Sequence, residues 1–223
     1  YRRICTLLDA EPGQHVLEIG CGWGGFAARA LEKGDYNVKG ITLSARQKEY
    51  ADAHLQGRAT IALEDYRHQE GRYDGIVSIE MFEAVGEQYW KTYFDKIAHL
   101  LKKGGQAMIQ TITIADSRFD RYRESGDFIR KFIFPGGMLP SPSRFAAAAE
   151  AAGLRVTGRF DFGQDYARTL EIWLASFDAA KPAVLAQGYD EKFIRMWRFY
   201  LAACIAGFRT GRTDVMQVGL SHA

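Results

Sequence analysis

The stretch Val16–Leu17–Glu18–Ile19–Gly20–Cys21–Gly22–Trp23–Gly24–Gly25–Phe26 decides the fold. A short apolar run ends in a carboxylate, four glycines follow, and a helix-forming sequence begins directly after them. Glycines between a strand and a helix let the backbone approach a ligand, and they open a helix whose N-terminus favours negative charge. The string satisfies both GxGxG and GxGxxG, so alone it does not separate one nucleotide class from another.

Working outward, His15–Ile19 reads as a strand, Gly25–Lys33 as a helix and Asn37–Leu43 as a second strand. Ser44 is a good N-cap for a helix running to about Gln56. Thr60–Leu63 and Asp74–Ile79 read as strands three and four. Glu87–Lys102 reads as a helix stopped by Gly104–Gly105, and Gln106–Ile114 as strand five. Strands separated by helices of this length imply βαβ units and a mostly parallel sheet, an α/β fold. Ser143–Ala152 then reads as a helix, Leu154–Phe162 as a strand, and two further helices precede a short last strand, Val215–Leu220. Residues 1–223 are expected to form one domain. The long aromatic and basic insertion at about 116–142 is expected to be a helical lid, with an ordinary packed subdomain as the alternative.

The 223 residues carry 29 Lys and Arg against 27 Asp and Glu, a net charge of +2 that gives no electrostatic case for nucleic acid. No apolar run approaches the roughly 18 residues that cross a bilayer, so membrane contact is expected to be peripheral. Cys5, Cys21 and Cys204 are odd in number with no CxxC pair, which argues against a disulfide scaffold or structural zinc and for a reducing cytoplasm. The five histidines show no metal-like spacing, so no metal is expected. The chain opens on Tyr1 and shows no signal peptide; a segment ahead of it is expected.

Context around the glycines narrows the ligand. Glu18 lies two residues before the first glycine, where a carboxylate suits an ammonium group and would repel a pyrophosphate. The dinucleotide fingerprint wants an acid at the end of strand two, yet no acid lies between Tyr36 and Glu49. Thr42, Ser44 and Gln47 would hold ribose hydroxyls instead. Asp65–Tyr66–Arg67 offers a carboxylate and an aromatic face for adenine. S-adenosylmethionine (SAM) fits all three observations.

Six motifs in order, VLEIGCGWGGFA, GITLSARQ, SIEMFEAVG, FIFPGGMLPS, DYARTLEIW and YLAACIAGF, resemble the cyclopropane-fatty-acyl-phospholipid and mycolic acid cyclopropane synthases. The resemblance spans nearly the whole chain. It implies the Rossmann-like SAM-dependent methyltransferase fold with an antiparallel last strand, and cis-unsaturated acyl chains of phospholipids at a membrane surface as substrate. It also implies a SAM site lined by Gly20, Cys21, Gly22, Trp23 and Gly24, and a bicarbonate ion held as base by a Glu, a His, a backbone carbonyl and a Tyr. By motif position these are Glu83, Gln110 in place of the His, the carbonyl of Ile112, and Tyr166. Ala84 stands where a His is common, and a further cysteine-bearing aromatic segment is implied ahead of the first strand.

The chemistry accounts for such residues. An isolated alkene attacks the sulfonium methyl of SAM, and the resulting cation needs aromatic faces, an anion and dryness. Loss of a proton from the new methyl closes a cyclopropane; loss from a chain carbon leaves a methyl-branched chain, and a hydride shift followed by loss from the methyl leaves a methylene branch. Gln110 hydrogen-bonds an anion but carries no proton, which puts ring closure in question. Cys204 matches the family's YLxxC position, though on an apolar helix it reads as packing, as does Cys21 in the loop. Glu83 as a salt-bridged carboxylate and Tyr166 as a core aromatic are the plain alternatives, and Glu80 reads as structural. Arg195, Arg198, Arg209 and Arg212 either meet anionic headgroups or form a solvated face. Two rival functions stay open: methylation of another small acceptor, and lipid or SAM binding without turnover. The oligomeric state is not legible.

Overall fold

A computed structural model describes residues 1–223. In chain order the elements are α1 (Arg2–Leu8), β1 (His15–Ile19), α2 (Gly25–Lys33), β2 (Asn37–Thr42), α3 (Ala45–Leu55), β3 (Thr60–Leu63), β4 (Tyr73–Ile79), α4 (Trp90–Leu100) and β5 (Leu101–Ile114). There follow α5 (Phe119–Glu124), α6 (Phe128–Phe132), α7 (Pro142–Ala151), β6 (Leu154–Asp161), α8 (Gly163–Ala179), α9 (Lys181–Ala186), α10 (Glu191–Arg209) and β7 (Thr213–His222).

The seven strands lie in the order β3-β2-β1-β4-β5-β7-β6. β1 pairs in parallel with β2 and β4, β2 with β3, and β4 with β5. β7 runs antiparallel to its neighbours: Ala223 N–H donates to the Gly153 carbonyl beyond one end of β6, and Phe162 N–H to the Val215 carbonyl beyond the other. Strand order reverses between β1 and β4, and in open α/β sheets ligands bind outside the carboxyl ends of the strands at that point. Val16, Leu17 and Ile19 of β1 are buried, as a strand covered on both faces must be.

The chain divides into two compact units. The first comprises Tyr1–Thr111, Ser143–Phe160 and Gln217–Ala223. Its core gathers Ile4, Leu8, Val16, Phe26, Val38, Leu55, Ile61 and Val77. The second comprises Ile112–Pro142 and Asp161–Met216, and Ala167, Leu170, Leu201, Phe208 and Val215 form its core. There the 116–142 segment is helical as expected, and it is tied down internally. Phe119 and Tyr122 are buried, Arg130 Nη1 donates to the Tyr122 and Ser125 carbonyls, and Leu139 N–H donates to Tyr122 Oη.

Three expectations are corrected. β5 begins at Leu101, so Gly104–Gly105 lies inside a strand instead of ending a helix. Tyr73 pairs with Leu101 and Gly75 with Gln106, which makes the glycines a bulge; Gly104 takes φ +83°, and a Cβ on Gly105 would come 2.5 Å from the Asp74 carbonyl. Three helices, not two, lie between β6 and β7. α1 was not foreseen; Ile4, Cys5 and Leu8 bury it.

Candidate active site

Glu18 sits in β1 between Gly40 of β2 and Val77 of β4, at the reversal of strand order. It is 3% exposed, it accepts the Ala27 backbone N–H, and its Oε2 has no hydrogen-bond partner. Burial pushes its carboxyl up to about 8. An ionised carboxylate costs several kcal/mol to bury without a counter-charge; a cation placed there would remove that cost. The loop beyond it turns through left-handed Gly20, Gly22 and Gly24. Gly20 and Cys21 both donate N–H to the Ile41 carbonyl, folding the loop back over β2. At Gly20 a Cβ would press on Met81 Cγ at 3.0 Å, and Gly24, the N-cap of α2, leaves room for Ala51 and Leu55. Trp23 is exposed at the loop tip with its edge on Tyr50. Cys21 is buried and burial pushes its thiol up to about 12, which suits packing in the loop rather than attack as a thiolate.

At the end of β2 the Thr42 hydroxyl donates to Gln47 Oε1 (2.7 Å) and accepts the Ser44 N–H (3.2 Å). Ser44 Oγ accepts the Gln47 backbone N–H and so caps α3, worth about 1 kcal/mol. This clasp orders three hydroxyl- and amide-bearing residues and leaves the Gln47 amide nitrogen unspent. Asp65 caps a 3-10 turn through the Arg67 N–H and holds the Arg67 guanidinium through both carboxylate oxygens. That bond holds its carboxyl below the usual range. Asp65 therefore fixes the turn on which Tyr66 stands, edge-on to Tyr93.

These residues fit SAM. An orphaned, desolvated carboxylate suits the methionine ammonium, the glycine turns suit close backbone approach, and the strand-two end carries Thr42 where a dinucleotide site has an acid.

The residues expected to act on the acceptor divide between the units. In the first, Phe82 is fully buried against the rings of Trp90, Tyr93, Phe94 and Phe145 at 4.9–5.4 Å, anchoring the 3-10 turn that carries Glu83. Gln110 is buried and almost fully engaged: Nε2 donates to Glu80 Oε1 (2.7 Å) and Oε1 accepts from Gln217 Nε2 (2.9 Å). In the second, Ile112 packs at the edge of that unit's core, and the Tyr166 ring lies tilted against Phe208 at 5.1 Å with Phe162 edge-on at 6.4 Å. Cys204 lies in the same cluster; burial pushes its thiol up to about 11. Its burial agrees with the packing role read for it from the apolar helix. No group of three or more His, Cys, Asp or Glu stands together as metal ligands would.

Three residues near the glycine loop show features that the sequence alone does not reveal. Tyr1 places its hydroxyl 3.1 Å from where a Gly25 Cβ would be; burial raises its phenol, and the charges of Glu18 and Glu80 add to this. Leu43, expected to end the second strand, lies just past β2 and is 75% exposed. Glu80 follows β4 at φ +53°, a conformation that composition does not reveal.

The family description "Mycolic acid cyclopropane synthetase" matches residues 1–218. The chain is 40% identical over 225 residues to the tuberculostearic acid methyltransferase UfaA1 of Mycobacterium tuberculosis, covering 97% of this chain and 52% of that protein. It is 38% identical over 222 residues to the cyclopropane-fatty-acyl-phospholipid synthase of Escherichia coli K12, covering 99% and 56%. The chain thus spans about half the length of these curated relatives. Among solved structures, mycolic acid cyclopropane synthase CmaA1 complexed with SAH and CTAB superposes with a TM-score of 0.90 at 31% identity, covering 98% of this chain and 82% of that one. With the methyltransferase sheet order, the glycine loop and a match over nearly its whole length, the chain belongs to the mycolic acid cyclopropane synthetase family.

Proposed function

We propose that this protein alkylates the cis double bond of unsaturated acyl chains in membrane lipids, using SAM. The observation that carries the reading is Glu18: a buried carboxylate with an orphaned oxygen, at the reversal of strand order and beside a left-handed glycine loop. SAM supplies an electrophilic methyl group. The residues of the chain orient it through Glu18 and the Thr42–Gln47 clasp, with Tyr66 offering a face to adenine. Glu83 and Gln110 carry the anion-binding roles that the resemblance implies, and Tyr166 and the Ile112 carbonyl carry theirs; bicarbonate is the anion that suits them.

Ring closure to a cyclopropane is the first reading of the product. One observation favours a second, a methylene- or methyl-branched chain: Gln110 stands where a proton-carrying imidazole is expected, and its amide is held by Glu80 and Gln217. No helix is long and apolar enough to cross a membrane, and the three cysteines are free. We propose a reducing cytoplasm as its setting, with peripheral contact to the lipid surface; an odd number of cysteines without a CxxC pair supports this. Exposed Phe132, Phe134 and Phe199 among Arg130, Lys131, Arg195 and Arg198 suit that contact, and the 116–142 segment would cover the acyl chain.

The test is mass spectrometry of total fatty acids from a host expressing the full-length protein and fed methyl-labelled methionine. A labelled gain of one CH2 on monounsaturated chains is expected, and fragmentation separates ring from branch. Unlabelled acyl chains alongside intact SAM binding would move the activity to another acceptor.

A further inference from the structure

β4 ends at Ile79, opposite Gln110 of β5. The next residue, Glu80, leaves the strand at φ +53°, a backbone conformation that side chains with a Cβ rarely adopt. Strain of this kind persists only where the surroundings impose it, and it gathers at functional sites. Two bonds to one residue impose it here. Glu80 N–H donates to the Gln110 carbonyl at 2.8 Å, and Gln110 Nε2 donates to Glu80 Oε1 at 2.7 Å. Gln217 Nε2 in turn donates to Gln110 Oε1 at 2.9 Å, and both glutamines are buried.

The sense of this chain is not arbitrary. An amide nitrogen donates and an amide or carboxylate oxygen accepts, so the Gln110 nitrogen faces Glu80 and its oxygen faces the Gln217 nitrogen. The Gln217 oxygen is left at the far end, where it is buried with no hydrogen-bond partner. Gln110 thus has its Oε1 taken up by Gln217 and one N–H remaining on Nε2. In the place where an imidazole could give and take a proton, this chain presents a donor of fixed direction.

We propose that Glu80 is a positioning residue which, with Gln217, locks the Gln110 amide as a hydrogen-bond donor toward the acceptor site, a role that rests on the alkylation reading above. Its location agrees. Glu80 is one residue beyond the carboxyl end of β4, Glu18 lies near that of β1, and these are the strands at which the order reverses. A polar clasp that merely closes the sheet end would need the pair but not its direction.

Direction is what the experiment reads. In the full-length protein, Glu80→Gln keeps the shape and removes the charge that sets the sense. The Gln110 side-chain amide protons, assigned in 15N spectra by their loss in Gln110→Leu, are expected to shift. Turnover on vesicles of dioleoyl phosphatidylglycerol is expected to fall about 10²-fold, as misorientation costs elsewhere, with the KM for SAM close to that of the parent. The reciprocal double variant, Glu80→Gln with Gln110→Glu, restores a paired amide and carboxylate in reverse. It is expected to melt like the parent and to remain as slow as Glu80→Gln. Parent-level turnover in Glu80→Gln, or its return in the reciprocal variant, overturns the proposal; if the reciprocal variant fails to fold, Glu80→Gln decides alone. Should the parent itself give no alkylated acyl product, the alkylation reading fails, and the spectra still test the lock: unmoved Gln110 amide protons in Glu80→Gln overturn it.

Discussion

Gly40 lies so close to Cys21 that a Cβ built on it would come 2.8 Å from Cys21 Cβ and 2.9 Å from Ile61 Cδ1. The glycine loop folds back over β2 because β2 offers bare backbone at that point, while the Ile41 carbonyl next to it takes two loop N–H groups. Gly40→Ala is expected to overpack this contact and cost about 1–3 kcal/mol. It should lower the melting temperature and weaken SAM binding together, because the same contact sets the loop. Adding Cys21→Gly should recover part of both. A Gly40→Ala protein that melts and binds like the parent would show that the loop is not held there.

Burial raises the Glu18 carboxyl to about 8, and this fixes the sign of two pH effects. Between the ordinary carboxylate range and about 8, the folded protein holds a proton that the unfolded chain has released. The contribution to stability is therefore complete below that range and is lost as pH rises toward about 8, with a limiting slope of about 1.4 kcal/mol per pH unit. Glu18→Gln should flatten this part of the profile in the ligand-free protein. Binding an ammonium group requires the ionised form, so SAM affinity should rise with pH up to about 8 and binding should release a proton. Calorimetry in buffers of different ionisation enthalpy counts that proton. Binding with no proton release at pH 7 would take the ammonium contact away from Glu18.

The thiol of Cys204 is pushed up to about 11 and stands among Tyr166, Leu170, Leu201 and Phe208. A thiolate is not available there at neutral pH. Cys204→Ala should cost on the order of 1 kcal/mol through a small cavity and leave turnover near the parent rate. Iodoacetamide at pH 8 should label it slowly while the protein is folded. A folded Cys204→Ala protein without turnover would give the thiol a chemical role after all.

What the sequence made legible was local. The strand, glycines and helix from His15 to Lys33 are a continuous pattern, and Ser44 caps α3 because the residues it serves are its neighbours. The misreading at Gly104–Gly105 has a physical cause. A helix terminus and a strand bulge both call for glycine at positive φ or close approach, and only the tertiary partner, the Asp74 carbonyl, separates them. α1 is short and has no side-chain cap, so its three buried residues gave too weak a periodicity. At the site, Glu18 and Glu83 could be picked out from motif position alone. The engagement of Gln110 could not, because its partners are 30 and 107 residues away.

Glu83 tests the acceptor side without disturbing the fold. The turn that carries it is anchored by the Phe82 ring in its cage of Trp90, Tyr93, Phe94 and Phe145, none of which depends on the Glu83 charge. Glu83→Gln is close to isosteric, so the melting temperature and SAM affinity should stay near the parent values. If Glu83 helps to hold the anion that takes the proton, its loss acts only after the methyl group has begun to move. Turnover should then drop about 10²–10³-fold, the scale for removing one preorganised electrostatic partner. Single-turnover measurements on unsaturated phospholipid vesicles separate this from impaired binding, since kcat falls while KM for SAM holds. Tyr166→Phe offers the parallel case in the second unit: the ring keeps its packing on Phe208 and Phe162 and only the hydroxyl goes. Both variants should slow product formation without unfolding the protein. If Glu83→Gln alkylates lipid at the parent rate, the proton acceptor is not organised by Glu83, and the carboxylates at the ends of β1 and β4 are the remaining candidates.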